Sequence, residues 1–309
     1  MRVGVIDVGT NSVRVLVADV DDGRLREIDR DLIITRLGEG VDRDGRLGAA
    51  PLRRTVEAIA AYAGRCDDAG CALVRITATS AVRDAANRRS FLDAVRDATG
   101  RDAEVLSGEQ EAHLGFRGAT IDLDAPAPYV VVDIGGGSTE LVRGAREAER
   151  WISLDIGSVR LTERHIHDDP PLLEQLDAVR ADANTHLDDA LGAIGSEPPA
   201  TLIGLAGTIT TVAAVTLGLT SYDRDAVHGA RLSRAQIGDS RALLASMTSE
   251  ERRALPVMPR GREDVIVTGV VILEQVMDRL GVGEVRVSET DILDGTALDT
   301  VVSRTGESR

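Results

Sequence analysis

The sequence predicts an α/β fold of two related halves, and three observations support this prediction. The chain has 309 residues, more than one hydrophobic core usually serves, so two domains are expected. Short β-branched segments alternate with amphipathic helical segments along the chain. In residues 5–12 an apolar strand ends at Asp and enters a turn of small residues, and this pattern returns in the same register at residues 131–138.

Strands are predicted where β-branched residues cluster between Gly, Pro and Asp. Helices are predicted at residues 51–63, 172–195 and 209–217, of which the first has Pro in its first turn and the second ends at Gly. The apolar stretch 265–273 is assigned to a core strand and helix. The predicted strands are residues 2–8, 13–20, 25–35, 72–78, 103–106, 129–134, 139–144, 201–205, 264–267 and 284–287.

Both copies of the repeated turn have a composition that suits phosphate. Glycine lets backbone N–H groups approach phosphoryl oxygens, and the hydroxyl side chains donate further hydrogen bonds. Because a carboxylate repels phosphate, Asp7 and Asp133 suit this place only if a divalent cation lies between them and the substrate. Returning strands follow both turns, so each is a hairpin tip, and an ordinary hairpin remains the alternative for either one alone. A dinucleotide-binding loop is disfavoured because no helix follows directly.

A helix is predicted to begin at Ser107, because Ser107 and Gln110 have the spacing of a capping box. Glu109 and Glu111 then lie in its first turns, where the helix dipole favours ionised carboxylates. Two residues apart, they point in different directions, so only one of them faces a given site. Glu111 is a candidate general base, and ordinary helix capping is the alternative for both acids.

A third glycine turn, at Gly207 and Thr208, joins a predicted strand to a predicted helix. The backbone N–H groups of a helix N-terminus form a ready site for anions. A tight strand-to-helix turn capped by a hydroxyl remains the alternative explanation.

The composition excludes several classes of protein. A net charge of −15 disfavours nonspecific nucleic-acid binding, and no apolar run approaches the roughly 20 residues of a membrane span. All 36 basic residues are Arg, which removes a P-loop lysine. Arginine clusters at 53–54, 83–89 and 260–262 are candidates for meeting an anionic substrate. Cys66 and Cys71 fit neither a zinc site nor a redox pair, and no signal peptide is apparent, so a cytoplasmic protein with reduced thiols is predicted.

Together these segments resemble the exopolyphosphatase/guanosine-pentaphosphate phosphatase (Ppx/GppA) family. The resemblance implies two ribonuclease-H-like domains of the actin, sugar-kinase and Hsp70 superfold, facing each other across an active-site cleft. Weaker echoes at 153–161 and 262–267 extend it over essentially the whole chain. The five motifs that carry it start at residues 7, 79, 107, 133 and 206 and read Asp-Val-Gly-Thr-Asn-Ser, Thr-Ser-Ala-Val-Arg-Asp-Ala-Ala-Asn, Ser-Gly-Glu-Gln-Glu-Ala, Asp-Ile-Gly-Gly-Gly-Ser-Thr-Glu and Ala-Gly-Thr.

The resemblance implies a role for each matching residue. Glu111 matches the catalytic base that polarises the attacking water, and Glu140 matches an acid that supports the metal or the water. Asp7 and Asp133 match acids that hold Mg²⁺, with Mn²⁺ as a substitute. Arg83 matches a residue that grips substrate phosphate. The residues implied to line the phosphate cradle are Asn11, Ser12, Gly135, Gly136, Gly137, Ser138, Thr139, Gly207 and Thr208.

The resemblance also implies the domain organisation. The first domain comprises residues 1–122 and the C-terminal helix 292–309, and the second comprises residues 123–291, which begin in a Pro-containing linker. Longer family members carry further helical domains, and this chain resembles the short two-domain form. Residues 288–295 depart from the family's glycine-bearing turn, which affects the expected cleft floor or the docking of the last helix, and not the catalytic residues.

These inferences predict a Mg²⁺-dependent exopolyphosphatase that releases orthophosphate from inorganic polyphosphate and prefers short chains. One alternative is a pppGpp 5′-phosphohydrolase that uses the same site. The other is a non-catalytic polyphosphate or alarmone sensor, which would need no general base. The expected partners are inorganic polyphosphate, pppGpp and a second copy of the chain in a homodimer, without nucleic acid or membrane.

Overall fold

The computed structural model describes residues 1–305 and divides into two compact units. Met1–Gly118 and Asp291–Arg309 belong to the first unit, and Ala119–Thr290 form the second. The sequence-based boundaries stand at 122/123 and 291/292. Of the C-terminal helix predicted at 292–309, residues 306–309 lie outside the described residues.

The described residues alternate between strands and helices. The strands are β1 (Arg2–Val8), β2 (Ser12–Asp21), β3 (Arg24–Ile34), β4 (Leu73–Ala78), β5 (Ala103–Val105), β6 (Tyr129–Ile134), β7 (Thr139–Gly144), β8 (Ala148–Leu154), β9 (Thr201–Leu205), β10 (Arg231–Ser233) and β11 (Glu284–Val287). The helices are α1 (Val41–Asp44), α2 (Ala49–Asp68), α3 (Ser80–Asp84), α4 (Arg88–Thr99), α5 (Gly108–Ala119), α6 (Ser158–His165), α7 (Leu173–Ile194), α8 (Ala206–Thr216), α9 (Arg224–Val227), α10 (Arg234–Ser246), α11 (Ser249–Arg253), α12 (Ile266–Leu280) and α13 (Ile292–Thr305). Within residues 1–305, no helix has the length and apolar character needed to cross a membrane.

The sheet of the first unit has the strand order β3-β2-β1-β4-β5. β1 pairs antiparallel with β2 and parallel with β4, so the chain makes a meander and then crosses over. Successive β1 residues point to opposite faces: Ile6 packs towards the core that includes α2 and α4, and Val5 towards the core that includes α13. Both faces of this sheet are therefore covered, which explains the near-continuous apolar sequence of β1.

The sheet of the second unit has the order β10-β11-β9-β6-β7-β8. β6 pairs antiparallel with β7 and parallel with β9, as β1 pairs with β2 and β4 in the first unit. The shared order of meander and crossover gives each unit the ribonuclease-H-like α/β topology that the resemblance implied. A single core of residues from β6, β7, α7, α8 and α12 fills this unit.

The strand predictions differ from the structure at three places. β8 and β10 were not predicted, because their sequences mix charged and apolar residues without strict alternation. The strand predicted at 264–267 is wrong, since these residues form a turn and the start of α12. The first eight residues of α12 are all buried, so this part of the sequence shows no polar face that would separate a buried helix from a buried strand.

Candidate functional site

The first predicted phosphate turn is the tip of the β1–β2 hairpin. The Gly9 N–H donates to the Ser12 carbonyl at 2.9 Å and closes the turn. On its outer side, the Asn11 carbonyl accepts the two backbone N–H groups of residues 35–36 at 3.0 and 2.9 Å. The backbone of this turn is therefore fixed both by its own hydrogen bond and by the chain that follows β3.

The second turn is the tip of the β6–β7 hairpin and is closed in the same way. The Gly135 N–H donates to the Ser138 carbonyl at 3.0 Å, so the repeated sequence pattern corresponds to a repeated turn. The first turn of α6 supports it from outside: the Ser158 N–H donates to the Gly135 carbonyl at 2.9 Å, and the Val159 N–H to the Gly136 carbonyl at 2.9 Å. These helix N-terminal donors hold the turn in place.

Asp7 is buried at the end of β1 and carries its own countercharge. The strand register places it opposite Arg14 of β2, whose Nη2 lies 2.6 Å from Oδ2 of Asp7. The Thr77 hydroxyl of β4 donates to Oδ1 at 3.3 Å. The Asp7 carboxylate is thus bonded to an arginine and a hydroxyl of the first unit.

Asp133 occupies the equivalent place at the end of β6, but its cross-strand partner is Glu140. Directly opposite residues of an antiparallel pair have Cβ atoms about 4.5–5.5 Å apart on one face of the sheet. Glu140 is 2% exposed and accepts a hydrogen bond from the Ser153 hydroxyl at 2.7 Å. Two acidic residues therefore face each other across the strands at the second turn, where the first turn has a carboxylate and a guanidinium.

The structure separates the two acids of α5. Glu111 is 9% exposed, whereas Glu109 lies on the solvent face. Nη1 of Arg83 lies 3.0 Å from Oε2 of Glu111 and donates to the Leu106 carbonyl at 3.1 Å. The predicted base and the predicted phosphate-gripping arginine are therefore partners in one buried ion pair.

The predicted capping box at the start of α5 is confirmed. Ser107 Oγ accepts from the Gln110 N–H at 3.2 Å, and the Gln110 side chain accepts from the Ser107 N–H at 2.9 Å. This reciprocal cap sets the first turn of the helix and hence the direction in which Glu111 points.

The third glycine turn joins β9 to α8 and is held by an arginine. Ala206 has φ 68°, a left-handed conformation that is uncommon for a residue with a Cβ. Nη1 of Arg262 donates to the Gly207 carbonyl at 2.9 Å and to the Thr211 hydroxyl at 2.7 Å. A Cβ at Gly207 would lie 2.1 Å from Arg262 Nη2, so the guanidinium keeps this position only beside a residue without a Cβ. Thr208 is buried beside it.

Within the first unit, hydrogen bonds connect the three predicted motifs. The Thr10 and Ser80 hydroxyls lie 2.9 Å apart, which joins the first turn to the segment that bears Arg83. Arg83 in turn joins that segment to Glu111. The site residues predicted in this unit are Asp7, Asn11, Ser12, Arg83 and Glu111.

Within the second unit, strand pairing brings two glycine turns to one edge of the sheet. β6 and β9 are parallel with Asp133 opposite Leu205, so both turns start at the same level. The site residues predicted in this unit are Asp133, Gly135, Gly136, Gly137, Ser138, Thr139, Glu140, Gly207 and Thr208.

The donor chemistry of the second turn fits a hard divalent cation. Mg²⁺ is usually bound by one or two carboxylates together with substrate phosphates and water, and Asp133 with Glu140 supplies such a pair. In residues 1–305 no cluster of three or more His, Cys, Asp or Glu has metal-binding spacing, so protein ligands alone would not complete the coordination. Asp7 fits less well, because its carboxylate already bonds to Arg14 and to the Thr77 hydroxyl.

Three contributors were missed as site residues by sequence reasoning. Arg262 was noted only within a basic cluster, while Arg14 and Asp291 were not singled out. Arg14 could have been found by extending the repeat register from Asp7 and Asp133 to their cross-strand partners. Asp291 comes from the far end of the chain, and no local signal indicates its contact with Arg14.

Several known proteins are similar to this chain in sequence and fold. The model of the Ppx/GppA phosphatase family matches residues 16–303. Exopolyphosphatase 2 of Mycobacterium tuberculosis is 43% identical over 311 residues, covering 96% of this chain and 98% of that protein. A crystal structure of an exopolyphosphatase-like protein has a TM-score of 0.93 at 38% identity and covers 97% of this chain and 98% of its own. The Ppx/GppA family member of Aquifex aeolicus has a TM-score of 0.83 at 32% identity, with 98% of both chains covered.

Proposed function

Because the chain belongs to the Ppx/GppA phosphatase family, we propose that it is a Mg²⁺-dependent exopolyphosphatase. Its reaction is hydrolysis of the terminal phosphoanhydride bond of inorganic polyphosphate, with release of orthophosphate. The prediction of the family is confirmed by the match over residues 16–303, and the relative named exopolyphosphatase 2 supports this choice of substrate. The observation that carries the proposal is the buried ion pair of Glu111 and Arg83.

Glu111 is proposed to accept the proton of the attacking water. A general base must be ionised and must be held in one orientation, and the Arg83 guanidinium at 3.0 Å favours both conditions. Glu109, in the same turn of the helix, has neither the burial nor this partner. A pure binding protein would have no need of a buried carboxylate that is oriented in this way.

The glycine turns are proposed to bind the phosphoryl groups. Hydrolysis of a phosphoanhydride needs positioning, charge neutralisation and one oriented water, without a covalent nucleophile. Backbone N–H groups at the tips of Gly135–Thr139 and at the start of α8 are suited to phosphoryl oxygens because the surrounding backbone is held by hydrogen bonds. Arg262 adds a fixed positive charge beside Gly207.

Mg²⁺ is proposed to be held by Asp133, with Glu140 beside it. When bound, the cation would neutralise phosphate charge and polarise the terminal phosphoryl group. The participation of Asp7 as a second metal ligand stays a prediction, as do the homodimer and the cytoplasmic location.

The proposal is tested by orthophosphate release from short-chain polyphosphate, long-chain polyphosphate and pppGpp in the presence of Mg²⁺. Glu111→Gln is compared with the matched variant Glu109→Gln on the same helix. The expected result is release from polyphosphate, a loss of kcat of about 10²–10⁴-fold in Glu111→Gln, and a change within about two-fold in Glu109→Gln.

The other outcomes assign the site differently. Release from pppGpp alone would make the chain a pppGpp 5′-phosphohydrolase. Binding of all three substrates without release would refute the hydrolase and leave a polyphosphate or alarmone sensor. Equal losses in the two glutamate variants would remove Glu111 as the base.

A further inference from the structure

Residues 288–295, which precede and begin the last helix, form an organised cap. Asp291 Oδ1 accepts from the Leu293 N–H at 2.9 Å, and Asp294 Oδ2 accepts from the Asp291 N–H at 2.9 Å. The two acids thus satisfy backbone donors at the start of α13 in a reciprocal arrangement. Each of them keeps a second carboxylate oxygen for another partner.

Those second oxygens are bonded to two arginines of the first-unit sheet. Arg14 of β2 binds Asp291 Oδ2, and Arg30 of β3 binds Asp294 Oδ1 at 2.6 Å. The Asp291 side chain is 10% exposed and that of Asp294 is 2% exposed. Two buried ion pairs, next to each other, therefore join the start of α13 to the hairpin strands.

The two ion pairs differ in where they lead. Arg14 also binds Asp7 at 2.6 Å, so one continuous chain of contacts runs from the cap of α13 to the acid that enters the first phosphate turn. Arg30 instead bonds to Glu27 on its own strand at 2.7 Å, and its Nη1 also lies 3.9 Å from Asp291 Oδ1. The Asp291 branch thus reaches Asp7, a residue implicated in phosphate binding.

The same segment also contacts the helix that bears Glu111. A Cβ at Gly118 of α5 would lie 1.8 Å from the Asp291 carbonyl, and a Cβ at Gly295 would lie 1.9 Å from the Leu114 carbonyl. The backbones of α5 and α13 therefore cross in direct contact, which both glycines make possible. Residues 291–295 therefore contact two elements that carry predicted site residues, namely β2 with Ser12 and α5 with Glu111.

We propose that Asp291 is a positioning residue of the phosphate site, which acts through Arg14 on Asp7 and the first turn. A guanidinium is a rigid, planar group, and carboxylates on two of its edges fix both its position and its plane. With Asp291 neutral, Arg14 loses one carboxylate anchor, and Asp7 loses a partner of fixed geometry. This role rests on the proposed hydrolase function of the same site.

The test compares Asp291→Asn with Asp294→Asn as a matched control. Both substitutions lie on the same helix cap, remove one carboxylate charge facing an arginine, and leave an amide oxygen that accepts from the backbone. We expect kcat for orthophosphate release from short-chain polyphosphate to fall about ten-fold in Asp291→Asn, with KM changed less than about three-fold. Asp294→Asn should keep kcat within about two-fold, although its melting temperature should fall by about as much as that of Asp291→Asn. Equal kcat values in the two variants would overturn the proposal.

A double variant separates positioning from general destabilisation. In an Arg14→Gln background, Asp291→Asn should cause no further loss of kcat, because its path to Asp7 is already broken. A full, additive ten-fold loss in that background would show that Asp291 acts without Arg14 and would refute the inference.

A measurement without turnover keeps the inference testable if the proposed function fails. Amide hydrogen exchange of residues 8–13 should become faster in Asp291→Asn and stay unchanged in Asp294→Asn, with residues 134–139 as an internal reference. Absence of orthophosphate release from the wild type would refute the hydrolase alone. Unchanged exchange at residues 8–13 in Asp291→Asn would refute the positioning role.

Discussion

Asp7 and Asp133 end equivalent strands, yet their cross-strand partners carry opposite charges. Arg14 faces Asp7, whereas Glu140 faces Asp133. The first pair joins a carboxylate to a guanidinium, whereas the second places two acidic residues opposite each other on one face of the sheet. The two turns therefore share the same backbone hydrogen bond and differ in the charge of the residue opposite the Asp.

This contrast predicts which acids bind the metal. Mn²⁺, used as a paramagnetic substitute for Mg²⁺, should bind at least about ten-fold more weakly to Asp133→Asn and to Glu140→Gln, because each variant removes a carboxylate from the pair. Asp7→Asn should change the affinity less than about three-fold. Electron paramagnetic resonance of free Mn²⁺ measures all three constants, and a loss in Asp7→Asn equal to that in Asp133→Asn would identify Asp7 as a ligand.

Among the elements, the short helix α6 determines the shape of the second turn. Its first N–H groups donate to the turn carbonyls, and Gly157 before it lies against the turn backbone. A Cβ at Gly157 would lie 2.4 Å from the Gly136 carbonyl oxygen, closer than any real contact allows. The glycine is required here for close approach, since its φ of −158° is open to any residue.

Gly157→Ala should therefore destabilise the second turn. We expect a loss of unfolding free energy of about 1–3 kcal/mol and a fall in kcat/KM of about ten-fold or more, because the turn backbone must shift. Gly192→Ala in α7 is the control: no atom lies within 4 Å of its added Cβ, and it should stabilise by roughly 0.5–1 kcal/mol without changing kcat/KM. Urea unfolding and steady-state kinetics test both, and unchanged kinetics in Gly157→Ala would contradict the close contact.

The cap of α13 gives the first unit a dependence on acid pH. Burial alone would raise the pKa of Asp291, but attraction by Arg14 and Arg30 and the Leu293 N–H hold that pKa below its usual value. A carboxyl with a lowered pKa stabilises the fold above its unfolded pKa of about 3.9, and this contribution disappears as the pH falls through the folded pKa.

Asp291→Asn should consequently be less stable at pH 7 by on the order of 3 kcal/mol, since it breaks one buried pair. Below about pH 4 its unfolding free energy should fall less steeply than that of the wild type, because one titrating carboxyl has been removed. Urea unfolding at a series of pH values from 7 to 3 provides the two curves. Parallel curves would show that Asp291 does not titrate with folding.

For the whole molecule, the net charge of −15 opposes the approach of an anionic substrate. The arginines that balance Asp7 and hold the third turn act only locally, since screening limits them to about 10 Å at 0.1 M salt. The net charge of the protein therefore repels the substrate over long distances, whereas these arginines attract it only at short range.

Moderate salt should for this reason help the encounter. We expect kcat/KM for polyphosphate to rise about two-fold between 20 and 150 mM KCl at constant free Mg²⁺, because salt screens the distant repulsion before it weakens the buried contacts. Potassium gluconate serves as a control for chloride. A steep fall in kcat/KM over this range would indicate a surface that attracts the substrate, as basic nucleic-acid-binding proteins do.

The sequence by itself determined the features that are local or repeated. The two hairpin turns, the capping box at Ser107 and most strands follow from short patterns, since turn residues and alternation act over only a few positions. The repeat between residues 5–12 and 131–138 determined the two-domain α/β fold for the same reason. Buried segments escaped this reasoning, as the wrong strand at 264–267 shows, because full burial removes the polar face from the pattern.

Only the tertiary structure decided how charges are paired. Glu111 differs from Glu109 by its burial and by Arg83, which comes from a helix 28 residues earlier in the chain. Arg14 forms ion pairs with both Asp7 and Asp291, and Asp291 lies 277 positions from Arg14 in the chain. Such pairs depend on the packing of distant elements. The spacing of residues in the sequence does not show which opposite charges will come within about 3 Å of each other. The sequence therefore indicates which residue types form the site, whereas the fold determines which charged residues pair with each other.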